Sequence, residues 1–253
     1  MHKLQRLAGV ACGAAALLAF GAGPAMAASG SVNANLNPIE GNGVDGSGTA
    51  MVKVNGTTLT VTMAAMGLLA DQPHAAHIHY GSDARHECPT LADDSDDNGH
   101  LNTSEGVPAY GEIVVSLTKT GDTSPDSGLA VERFDTAKGG EISYERGSIK
   151  VSEDVAEDIL SGESAVVIHG VDYNDDGKYS GDEKSDLNPD LPTEATDPAL
   201  CGVLAKAPNG AMATGSGGAA AGQNTALIAL GGGALLAAAG TGAVAARRAR
   251  TQA

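Results

Sequence analysis

Residues 49–66, TAMVKVNGTTLTVTMAAM, constrain the fold of this chain more than any other stretch. Val52 and Val54 alternate with polar neighbours, the chain turns at Asn55-Gly56, and Leu59, Val61 and Met63 resume the alternation. A period of two on both sides of Asn-Gly predicts two antiparallel strands joined by a tight turn, because that turn needs positive φ at both central residues. Further strands are expected at 111–118, 141–144, 148–151 and 164–168. Ser152 can cap one short helix over EDVAEDILSG, with Glu153 and Asp154 in its first turn and Gly162 just past its end. Short strands joined by Gly, Asp and Asn loops, with no alternation of strand and long helix, predict an all-β antiparallel barrel or sandwich. Tryptophan is absent and aromatics make up 3% of the chain, so the core must be Val, Ile, Leu, Ala and Met. Such a core gains from a disulfide or from bound metals.

The chain ends indicate a compartment. His2, Lys3 and Arg6 precede an apolar run that closes on Ala25-Met26-Ala27, the pattern of a secretory signal helix over 1–27, cut after Ala27. Export leaves Cys88 and Cys201, an even pair in an oxidising compartment, which favours one intramolecular disulfide over two free buried thiols. Residues 207–224 form a Gly, Ala and Ser linker that cannot bury a core. Residues 225–246 are long enough to cross a bilayer as a helix, and the basic tail 247–253, with Arg247, Arg248 and Arg250, reads as a positive-inside stop. The expectation is one folded body over 28–206, exported and held outside the membrane at the cell envelope. A net charge of −16 argues against nucleic acid as a partner and makes a cation a natural one.

The stretch 74–88, HAAHIHYGSDARHEC, holds four of the seven histidines. In a strand, residues two apart share a face, so His77 and His79 can bind one ion together. A third ligand must come from elsewhere, and His169, which ends the apolar run SAVVIH, is the best candidate. Imidazole suits copper and zinc alike. Solvated or hydrogen-bonded histidines are the alternative.

HAAHIH with Cys88, then AVVIHGVDYNDDG, then ALCGVL, together resemble the exported copper/zinc superoxide dismutases over most of the span 74–204. The resemblance implies a Greek-key β-barrel with long metal-binding loops and a Cys88–Cys201 disulfide. It also implies copper on His77, His79 and His169, a backbone-bonded His74, and superoxide as substrate. His100 would be the fourth ligand and proton carrier. Pro198 stands where that family has an arginine, His100 lies later than its bridging histidine, and no zinc set is recognisable. What the resemblance then implies is a copper-only centre or an emptied one. One alternative is a dismutase-like envelope domain that binds copper, calcium or a partner without turnover; another is a chordin-type interaction domain, which also carries a His-x-His strand, although Cys88 and LCGV favour the dismutase likeness over it.

Two loops carry calcium spacing. Residues 94–105, DSDDNGHLNTSE, and 172–183, DYNDDGKYSGDE, both fit Asp-x-[Asp/Asn]-x-[Asp/Asn]-Gly-x5-Glu. Calcium takes six to eight oxygens, and this spacing winds the chain around one ion. The expected side-chain ligands are Asp94, Asp96, Asn98 and Glu105 in the first loop, and Asp172, Asn174, Asp176 and Glu183 in the second. Flanking helices are not expected, since Pro89 and Pro108 bracket the first loop.

Overall fold

A computed structural model describes residues 28–206. Along the chain run β1 (Ser29–Pro38), β2 (Ser47–Asn55), β3 (Thr58–Met66), β4 (Pro73–His74), β5 (Ala76–Tyr80), α1 (Thr103–Tyr110), β6 (Glu112–Ser116), β7 (Asp135–Thr136), β8 (Ile142–Lys150), α2 (Glu153–Ser161), β9 (Ala165–His169), β10 (Pro198–Val203) and β11 (Ala205–Lys206). The main sheet is antiparallel in the order β6-β5-β9-β10-β1-β2-β3-β8, with β11 added against β1, and β4 pairs separately with β7. β6 and β8 stand at its two ends without pairing. The sheet is therefore a curled, open half-barrel of antiparallel strands, as the all-β expectation has it at the level of class.

The hairpin forms, with its turn one residue later than expected: Asn55 ends β2 and pairs with Thr58, so the two turn residues are Gly56 and Thr57, and of these only Gly56 has positive φ. Val54 faces Leu59 and Val52 faces Val61 across the turn, all four are buried, and Gly56 has φ 57°. Ser152 caps α2 by accepting from Val155 N at 3.2 Å, and Gly162 ends it in the left-handed region. The two segments read at 141–144 and 148–151 are one strand, β8, whose pairing with β3 slips opposite Leu59 and Val61, with Ser148 at φ 59°. α1 contradicts the expectation of a helix-free first loop. Pro108 lies inside it, and Asn102 and Glu105 close a reciprocal cap at its start.

The inner face of the sheet packs an aliphatic core that includes Val32, Leu36, Val52, Leu59, Val61, Ile78, Val166, Ile168 and Leu200. A second, smaller cluster lies on the opposite face of β5, β9 and β10. It joins Ala165, Val167 and Cys201 to Ile39, Leu101 and Tyr110. β9 is thus buried on both faces, which is why AVVIH reads as an unbroken apolar run. Cys88 and Cys201 are bonded at the edge of this cluster and tie the segment carrying α1 to β10. No described helix is long and apolar enough to cross a membrane, and the expected signal helix, linker, anchor and basic tail lie outside the described residues.

Candidate metal centre

The strand period puts His77 and His79 on the outer face of β5, opposite the core residues Ala76 and Ile78. His77 faces Val167 across the β5–β9 pair, and His169 follows Val167 by two positions on the same face. Three imidazoles from two adjacent strands therefore converge beside the second cluster. Ring centroids are 5.1 Å apart for His77–His169, 5.6 Å for His77–His79 and 6.0 Å for His79–His169. One nitrogen from each ring lies within 4.8 Å of the others. Three nitrogens on one ion with bonds of about 2.0 Å stand about 3.5 Å apart, so small ring rotations bring them onto it.

Each ring is held by its other nitrogen. His77 Nε2 donates to the Gly128 carbonyl at 3.0 Å, His79 Nδ1 to that of Gly111 at 2.9 Å, and His169 Nδ1 to that of Thr196 at 2.5 Å. A carbonyl only accepts, so each contact fixes the proton on that nitrogen and leaves the opposite one with a bare lone pair. The atoms left over, His77 Nδ1, His79 Nε2 and His169 Nε2, are buried and have no hydrogen-bond partner. Buried acceptors without partners are costly, and one nitrogen from each of these three rings lies close enough to the others to hold one ion. A second-row carbonyl on each imidazole is also how metal-binding histidines are oriented.

The loops supply those carbonyls. Gly111 ends α1 at φ 90°, and a Cβ there would run into the Tyr80–Gly81 backbone, so glycine lets the carbonyl reach His79. Thr196 O also accepts from Thr103 Oγ1 at 2.6 Å, which ties the start of α1 to the carbonyl that holds His169. Tyr110 packs edge-on to His79 at 4.5 Å and Phe134 edge-on to His77 at 5.3 Å. His74 lies apart, its ring nitrogens at 2.7 Å from His169 O and 3.0 Å from Leu69 O.

His100 does not join the centre. Its Nδ1 lies 3.0 Å from Gly41 O and its ring packs on Tyr173 at 4.1 Å, so it is neither a fourth ligand nor placed to carry a proton to the site.

The two acidic loops share one internal framework. Asp94 and Asp172 each accept from the backbone N–H groups four and five residues on, Asn98 and Gly99 in one loop and Asp176 and Gly177 in the other, at 2.7–3.2 Å. Asp96 and Asn174 accept from the same Asn98 and Asp176 N–H groups. They differ in the closing carboxylate. Glu105 Oε1 accepts from Ser95 N at 2.8 Å, and Asp94, Asp96 and Glu105 bring one oxygen each within 4.8 Å of one another. In the second loop the corresponding N–H, that of Tyr173, donates to Glu194 at 3.0 Å, and Ser180 N donates to the other Glu194 oxygen at 2.6 Å. Glu183 is exposed, whereas the buried Glu194 accepts from these two loop N–H groups; among the described residues only the first loop gathers three carboxylates within 4.8 Å. No local spacing could have pointed to Glu194, which lies beyond the twelve-residue pattern.

Burial pushes His74, His77, His79 and His169 down from 6.5, with His79 at about 3 and His169 at about 4, because a charged ring would lose its hydration; the neighbouring rings add repulsion at His77 and His79. Asp197 opposes them: burial raises it to about 7 despite hydrogen bonds from Tyr173 and Thr193. As pH falls through 6.5, the unfolded chain protonates its histidines while the folded chain keeps these four neutral, so stability is lost down to the folded values. Asp197 acts in the reverse sense between about 7 and the ordinary carboxylate value. With four groups against one, the metal-free domain should lose on the order of a few kcal/mol between pH 7 and pH 5. Denaturant titrations at the two pH values check this, and equal midpoints would contradict it.

Among known families, the CHRD domain model matches residues 31–181, more than half of the 253-residue chain and a span that contains His77, His79 and His169. No curated protein and no solved structure matches. The dismutase resemblance carried by HAAHIH, AVVIH and ALCGV is therefore corrected, and superoxide as substrate and His100 as its proton carrier go with it: β4, β5 and β9, which hold the first two segments, lie within the CHRD match. The chain belongs to the CHRD domain family.

Proposed function

We propose that this chain is an exported chordin-type domain that acts by binding, with one transition-metal ion on His77, His79 and His169. The observation that carries the reading is the set of three bare, buried ring nitrogens facing one another. Copper is favoured over zinc, because a closed zinc site takes four protein ligands and only three gather here among the described residues. Export is supported by the Cys88–Cys201 disulfide, a bond that persists in oxidising compartments. The test is elemental analysis of the purified full chain, together with a superoxide-consumption assay with and without added copper. Close to one copper per chain without turnover is expected. A chain that takes up no transition metal overturns the reading.

The acidic loops are proposed to hold calcium, supported by the twice-repeated spacing and the shared framework of backbone hydrogen bonds. Calcium at about 100 times its dissociation constant stabilises the folded state by about 2.7 kcal/mol for each loop it fills. Glu194→Gln should lose more of that gain than Glu183→Gln, as read from melting curves with calcium and with chelator. Equal losses would return the closing role to Glu183.

A further inference from the structure

The three-histidine centre is closed and carries no anionic ligand. His77, His79 and His169 are 3%, 1% and 3% exposed, and the three bare nitrogens are out of contact with solvent. Phe134 and Tyr110, both fully buried, cover two of the rings. Among the described residues no Asp, Glu or Cys joins the three imidazoles in a common cluster.

These features weigh on the charge and coordination of the ion. The cost of moving an ion from water into a low-dielectric interior rises with the square of its charge, so a divalent ion costs about four times a monovalent one. Neutral imidazoles do not cancel the second charge. A divalent zinc ion also asks for a fourth ligand, and divalent copper for a tetragonal set, whereas among the described residues no fourth His, Asp, Glu or Cys joins the three nitrogens and the buried side chain paired with His77 across the strands is the neutral hydroxyl of Ser116. A monovalent ion with a filled d shell has no ligand-field preference for more than three nitrogens.

We propose that this centre selects copper in its monovalent state, Cu(I), over Cu(II) and Zn(II). The inference rests on the metal-site reading above. The full chain, held without oxygen in ascorbate, is titrated with Cu(I) against a chromophoric Cu(I) chelator, and separate samples are titrated with Cu(II) and Zn(II) against chelators suited to each. His169→Ala and His79→Leu are run alongside, with circular dichroism as the check on folding. The expected result is a Cu(I) dissociation constant at least about 100-fold below either divalent ion, lost in both variants. Phe134→Ala, which opens the wall beside His77, should narrow the gap between the two copper states by about tenfold. If Cu(II) or Zn(II) binds through these histidines within tenfold of Cu(I), the selection is overturned while the metal site stands. If no ion binds, or if neither variant changes binding, both are overturned.

Discussion

Replacing Cys201 with serine should lower the thermal midpoint of the full chain by roughly 10–20 °C. The bond closes a loop spanning 113 residues of sequence, and a loop of that length restrains the unfolded chain by about 4–5 kcal/mol. For a domain of this size, each kcal/mol moves the midpoint by about 2–4 °C. The loss falls on a domain whose core is aliphatic, and Cys201 is 1% exposed against Leu101, Tyr110 and Val167, where a hydroxyl would sit without ready partners. The same cluster carries Tyr110, which packs on His79, and the Gly111 carbonyl that orients it. Metal affinity should therefore fall by about 10–100-fold alongside the midpoint. A serine variant that melts within 3 °C of the parent would show that the clamp contributes little.

His79→Leu should separate binding from folding. Loss of one of three ligands is expected to weaken metal binding by more than about 100-fold, beyond the usual effect of losing a supporting contact. The metal-free variant should nevertheless melt within about 3 °C of the metal-free parent. In the parent, His79 Nε2 is a buried acceptor with no partner, a liability of about 1–3 kcal/mol that leucine removes. Against this stands the Gly111 carbonyl, which loses its donor. Near cancellation is what a residue kept for a ligand, rather than for packing, should show. A metal-free midpoint lower by 10 °C or more would instead make His79 a structural residue.

Local chemistry was the legible part of this fold. The β2–β3 hairpin, if not the position of its turn, the capping of α2 by Ser152 and the placing of His77 with His79 on one face all follow from residues within a few positions of one another. β1 also alternates, burying Val32, Ala34 and Leu36, but its intervening residues are mostly asparagine, a poor strand former, and so the segment drew no strand expectation. α1 was obscured by Pro108, which falls in its last turn. The sheet's open edges depend on which strands fail to meet, and no segment encodes that alone. At the centre, the side chains that point at one another could be anticipated, whereas the carbonyls of Gly111, Gly128 and Thr196 could not, because backbone acceptors leave no residue-type signal. Glu194 and His100 show the same limit from opposite sides: one bonds to a loop from outside its pattern, and the other bonds to Gly41 and packs on Tyr173 instead of joining the centre.

The most direct test of the account is a copper titration of the metal-free full chain beside the triple variant His77→Leu, His79→Leu, His169→Leu, with the thermal midpoint followed in both. The account predicts one tightly bound equivalent and a raised midpoint in the parent, and neither in the variant. Equal uptake by the two chains, or none by the parent, would contradict it.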